Sequence, residues 1–162
     1  MNIPGTCNVA SLTVQQPIVS NITSVPTVSN QIGYTQTVVA TGRFGIPQNT
    51  WANVNSLSVT LSTVGVYIIV GTIPVILSSI GVGTPTQIIY SLSTSSNAND
   101  YYNQCCEVFT GSNLEYQQSL QTTRIFTCTF STPMYLIASY QGSFPCYTSA
   151  SYPCIITYTR IA

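Results

Sequence analysis

Lysine and histidine are absent from this 162-residue chain, and the remaining charge is sparse: three arginines against Asp100, Glu107 and Glu115. Charged residues make up 4% of the sequence, where an ordinary domain has about 25%. Each absence excludes a kind of chemistry. Without histidine the commonest general base at neutral pH is missing. Without lysine there is no amine nucleophile and no P-loop. Arg43, Arg124 and Arg160 are too few and too far apart in sequence to neutralise a run of phosphates, so no nucleic acid is expected as a partner. An anionic membrane surface is disfavoured on the same ground. The opening stretch Met1–Cys7 has neither a basic nor an apolar block, so no secretory signal peptide is expected.

Metal and acid–base sites are equally hard to assemble. Six cysteines occur without a Cys-x-x-Cys pair and without histidine, which argues against zinc. Asp100 with Asn97, Asn99 and Asn103 offers some oxygen ligands of the kind calcium takes, but a plain polar loop is the simpler reading. Glu107 and Glu115 are the one pair available for a two-carboxylate glycosidase, and solvated charges at strand ends explain them better. The expectation is a protein with no catalytic residue, no metal and no cofactor.

Hydrophobic residues make up 44% of the chain, enough at this length for a single core. Val64 to Gly83 is uncharged and long enough to cross a bilayer. Gly65, Gly71, Thr72, Pro74, Ser78 and Ser79 interrupt it, however, and no Lys or Arg flanks it. Two strands meeting in a bend at Ile73–Pro74 are predicted there, with no membrane insertion.

Period-two alternation runs through the rest. In Ser56–Ser62, Leu57, Val59 and Leu61 share one face and hydroxyls the other. Phe126, Cys128 and Phe130 alternate with Ile125, Thr127 and Thr129, and Cys154–Ile161 alternates again. Val66–Val70, Gln87–Leu92 and Met134–Tyr140 are continuous apolar runs that predict strands buried on both faces. Gly-, Pro- and Asn-rich turns separate them. Many short strands at this spacing predict an all-β antiparallel sandwich or barrel. Residues 1–36 differ in texture, with Pro4, Pro17 and Pro26 and no aromatic before Tyr34. They are expected to form an extended arm or first strand, leaving 37–162 as the main domain.

The cysteines number an even six, which suggests disulfides if the chain faces an oxidising exterior. Cys146 and Cys154 bracket a seven-residue loop and are the candidate pair. Reduced, buried cysteine is the competing reading for them and the favoured one for Cys7. Tyr101, Tyr102, Phe144, Tyr147 and Tyr152 lie in or beside polar loops, where tyrosine and phenylalanine can anchor a receptor or a glycan. Ordinary packing of sheet aromatics is the alternative for any one of them.

Four stretches carry a resemblance. Trp51–Leu61 leads into a glycine turn, and Gly65-Val66-Tyr67-Ile68-Ile69-Val70-Gly71 follows as a Gly-x-Tyr strand. Ile89–Ser96 runs into a Ser/Thr-rich loop, and Met134-Tyr135-Leu136-Ile137-Ala138 is followed by an ending Ile156–Ala162 that closes on Arg-Ile-Ala. From about Thr37 onward this order resembles the C-terminal heads of phage tail fibres and related viral trimeric proteins, which look like the tumour-necrosis-factor and C1q jelly roll. Such heads are poor in cysteine, so the cysteine-rich loops here have no counterpart in them. The resemblance implies a jelly-roll sandwich in a homotrimer, placed on the virion surface or outside the cell, that attaches to a host glycan or protein. Two other functions share its features: a structural capsid or decoration protein without a receptor, and a secreted cytokine-like or lectin-like module.

Overall fold

The computed structural model describes residues 28–78, 86–100, 104–109, 115–142 and 145–162. Ten strands occupy them: β1 (Thr35–Ala40), β2 (Gly45–Ile46), β3 (Ala52–Leu61), β4 (Gly65–Ser78), β5 (Thr86–Ser93), β6 (Cys105–Phe109), β7 (Glu115–Cys128), β8 (Thr132–Gln141), β9 (Cys146–Thr148) and β10 (Cys154–Arg160).

Their pairing follows one rule. β1 pairs with β10, β3 with β8, β4 with β7 and β5 with β6, all antiparallel. These are the rungs of one long ribbon folded back on itself between β5 and β6. β10 also pairs with β4, and β8 with β5, so the ribbon is rolled into two sheets. The larger has the order β1-β10-β4-β7, with short β9 and β2 beside the far half of β4. The smaller has the order β3-β8-β5-β6. Two interlocked Greek keys of this kind make a jelly roll. The chain is an all-β antiparallel sandwich, as the alternation of its residues predicted.

The core lies between the sheets. Leu57, Val59 and Leu61 of β3, Tyr67, Ile69, Ile73 and Leu77 of β4, and Leu92, Leu136 and Ile156 all belong to it. Gly71 interrupts this inward row because of a close approach. A Cβ there would stand 2.6 Å from Leu136 Cδ1 and 3.2 Å from Leu92 Cδ2. β5 and β8 are buried on both faces, as expected. The Val66–Val70 part of β4 is buried on one face only, with Val66, Ile68 and Val70 half-exposed.

Two further expectations need correction. No bend divides β4, which runs unbroken through Pro74 and pairs with β7 along its whole length. Proline lacks an N–H, so the defect falls on the neighbouring strand instead. Ser149 N donates to Pro74 O at 2.8 Å. Beyond that point the partner leaves the sheet and returns at Ile155, opposite Thr72. β9 and β10 are therefore two halves of one strand along the same edge of β4, with a loop thrown out between them. The second correction is the Cys146–Cys154 staple, because both residues are free thiols, and buried. Cys146 lies opposite Leu77, and Cys154 adjoins Ile155 opposite Thr72. At about 3.3 Å per residue along β4, roughly 13 Å separates them, twice the span of a disulfide.

β1 starts at Thr35, so the change of texture near Thr37 falls within a strand. Residues 1–27, including Cys7, lie outside the described part.

Candidate functional site

Two sides of the larger sheet differ. Its inner side is core. Its outer side carries no charged residue on β1, β4 or β10, nor on β7 from Gln117 onward; Glu115, at the far end of β7, is the one charged outer position of these four strands. Cross-strand registers set that face out in rows. Thr35, Thr159, Ile68 and Ile125 form one row; Thr37, Thr157, Val70 and Thr123 the next; Val39, Ile155, Thr72 and Gln121 a third. Threonine hydroxyls join across β1 and β10, Thr35 to Thr159 at 2.9 Å and Thr37 to Thr157 at 3.0 Å. Those bonds use up donors that would otherwise call for water. Ile125 is 68% exposed and Val39 52%, so apolar side chains stand free beside satisfied hydroxyls. Alternation supplied this face, since each outer residue is the one between two core residues.

The far half of the same face carries aromatics. Tyr147 of β9 lies opposite Ile76, and the Arg43 guanidinium carbon sits 4.1 Å from the centre of its ring, a cation–π contact. The loop between β9 and β10 is pinned by Ser149, whose Oγ accepts from the N–H groups of Ser151 and Tyr152, both at 3.2 Å. Tyr152 projects from it, 59% exposed. Between this loop and the sheet lies an open groove of about 360 Å³. Pro74, Tyr152, Pro153 and Ile155 give it apolar walls, and Thr72, Gln117 and Ser119 give it polar ones.

Of the aromatics singled out in the sequence, the structure brings Tyr147 and Tyr152 to this half-face. Tyr101, Tyr102 and Phe144 lie outside the described residues. Pro74, Gln117 and Ser119 were not foreseen, because they reach the groove from strands far apart in sequence.

The scattered charges are engaged elsewhere. Arg124 points inward from β7, forms an ion pair with Asp100 and donates to Leu92 O at 2.8 Å. Arg160 donates to the carbonyls of Asn30 and Val64. Glu107 accepts from Gln118 Nε2 at 3.3 Å, and Glu115 opens β7 opposite Ser78. Among the described residues the polar loop does not gather around a cation position, and Asn103 lies outside them. Asp100 faces Arg124, Asn99 Nδ2 donates to Gln104 at 2.9 Å, and Asn97 Oδ1 accepts from Ser95. No cluster of three or more His, Cys, Asp or Glu side chains fit to hold a metal occurs among the described residues. None of their helices is long and apolar enough to cross a membrane.

Burial tunes the acidity of several core groups, three of them strongly. It pushes the Cys146 thiol from 9.0 up to about 12. It raises Cys154 to about 11, against a hydrogen bond from Asn55 that lowers it. Tyr158 rises from 10.0 to about 12, through burial first and then its neighbours Tyr34 and Tyr67. All three groups hold their protons more tightly folded than unfolded. Their contribution to stability is therefore complete below about pH 9 and is lost as pH climbs towards 12, because the unfolded chain ionises first. Urea midpoints are expected to fall steadily above about pH 9. In the same series, iodoacetamide is expected to modify exposed Cys106 in the native protein but Cys146 and Cys154 only on unfolding. A flat alkaline limb, or early labelling of Cys146, would contradict the packing described.

No family model matches the chain, and no curated protein matches it. Among solved structures it is similar to the VP2 subviral particle of infectious bursal disease virus, at 11% identity and a TM-score of 0.36. That likeness covers 80% of this chain and 37% of the other, so the chain spans well under half of that protein's length. The jelly-roll assignment rests on the strand pairings themselves.

Proposed function

We propose that the chain is a non-enzymatic surface or fibre-tip module of a virus or phage particle, which assembles as a homotrimer and attaches the particle to its host. The observation that carries this reading is the uncharged near half of the larger sheet's outer face, where β1, β10, β4 and β7 lie side by side. An isolated, soluble domain normally scatters charge over such a surface to stay apart from its own copies. Here the rows centred on Ile68 and Val70 hold only β-branched side chains, and four of their five threonine hydroxyls are bonded in pairs. A second copy can cover that face without stranding a charge. The resemblance from Thr37 onward supplies the trimer and the viral setting. The engagement of all three arginines with other parts of the fold accords with a partner other than nucleic acid.

Light scattering is expected to give three times the 17.4 kDa chain mass, and Val70→Arg, which places a charge mid-face, is expected to give the monomer with unchanged circular dichroism. A monomeric wild type would overturn the assembly. A trimer that binds neither host cells nor arrayed glycans would instead favour a structural coat or decoration protein.

A further inference from the structure

We propose that the groove beside Tyr152 is the attachment site, and that it takes a neutral sugar bearing a methyl group, such as an N-acetylhexosamine or a 6-deoxyhexose. This rests on the attachment reading above and gives it a place and a ligand class.

Three features converge. The first is how the groove is built. Pro74 offers no donor, the strand beside it breaks, and the loop that results is held by the two bonds to Ser149 Oγ. Tyr152 is thus fixed at its backbone while the residue stays 59% exposed. A fixed, exposed, amphipathic ring is suited to lie against the C–H face of a sugar, because little entropy is lost on binding. The second is the mixture of walls. Gln117 and Ser119 supply an amide and a hydroxyl, each able to donate and accept, beside the apolar surface of Pro74, Pro153 and Ile155, with Ser119 directly across from Pro74 in the sheet. A sugar that carries a methyl group beside its hydroxyls matches both kinds of lining, whereas a plain hexose would leave the apolar residues facing hydroxyls. The third is charge. None of the lining residues is ionisable apart from the tyrosine phenol. A sialylated, sulfated or phosphorylated ligand would find no cation there to offset its desolvation. The volume, about 360 Å³, lies at the small end of the ligand-site range of ~300–1,000 Å³, which fits one or two sugar rings.

The test is saturation-transfer NMR on the full chain, using methyl glycosides of N-acetylglucosamine, N-acetylgalactosamine, fucose, glucose and sialic acid. Transfer is expected to the acetyl or C6 methyl protons of the first three. Tyr152→Ala is expected to weaken binding at least tenfold. Gln117→Ala is expected to weaken it several-fold, in a protein whose circular dichroism and mass in solution match the wild type. Absence of transfer to every methylated sugar, a preference for sialic acid, or binding indifferent to Tyr152→Ala would each overturn the proposal. Host-cell binding separates it from the reading it rests on. Adhesion that survives Tyr152→Ala removes the groove and keeps attachment. Adhesion lost in step with sugar binding supports both.

Discussion

Arg124→Ala is expected to destabilise the fold by about 3–5 kcal/mol, the usual cost of breaking a buried pair from one side. The guanidinium ties three parts of the molecule together. It leaves β7 in the larger sheet, bonds to Leu92 O on β5 in the smaller sheet, and holds Asp100 at the end of the polar loop. It also packs 5.1 Å from the Phe126 ring centre. The Arg124 and Asp100 side chains are only 10% and 20% exposed, so alanine would leave a carboxylate in a poorly solvated position without its counter-ion. Asp100 Oδ1 is already buried with no hydrogen-bond partner among the described residues, which makes the remaining bonds of that carboxylate harder to replace. Removing both charges is a different matter. Arg124→Met with Asp100→Leu is expected to return to within about 1 kcal/mol of wild type or exceed it, since no charge is then desolvated. Urea titrations of the two single variants and the double variant check this. Independent, additive losses would show that the two side chains do not act as a pair.

The second large effect is in the core. Leu136→Ala is expected to cost about 2–5 kcal/mol, because Leu136 is fully buried and its removal leaves a cavity between the sheets. The cavity would open directly above Gly71, whose absent Cβ is what makes room for Leu136 Cδ1. The sign of a Gly71→Ala change therefore depends on the background. In the wild type the added methyl is crowded, at 2.6 Å from Leu136 and 3.3 Å from Thr122 Cγ2, and a loss of about 1–3 kcal/mol is expected. In Leu136→Ala the same methyl fills space and also relieves the flexibility of glycine in the unfolded chain, so it is expected to stabilise. Gly71→Ala with the same sign in both backgrounds would refute the contact.

How much of this the sequence discloses depends on whether a feature is local. Leu57, Val59 and Leu61 announce β3 by alternation alone, and they are buried as that pattern requires. The uncharged outer face was legible as a scarcity of charge, though not as a surface, since its rows are assembled from four strands paired across up to 124 positions of sequence. Pro74 was legible as a disturbance, but sequence placed that disturbance in its own strand, whereas the hydrogen-bond ladder transfers it to the neighbour. The same transfer undid the expected staple. Cys146 and Cys154 are close in sequence because the loop between them is short, yet each aligns with a different part of β4. Arg124 read as one of three scattered cations. Its ion pair depends on a residue 24 positions away, which no periodicity reveals.

The rolled ribbon also fixes an order of events in synthesis. β10, the last of the ten strands, occupies the slot between β1, the first, and β4. A ribosome that has made everything as far as β9 has therefore produced a larger sheet with an open seam down its middle. β1 then has no partner in that sheet, and the inner residues of β4 lack Ile156 and Tyr158 to pack against. Contacts this far apart in sequence form slowly in any case. Until β10 emerges the nascent chain carries these apolar edges uncovered, and closing the seam is expected to be a slow step. In the assembly proposed above, that delay would keep the face offered to a second copy unfinished until β10 is in place.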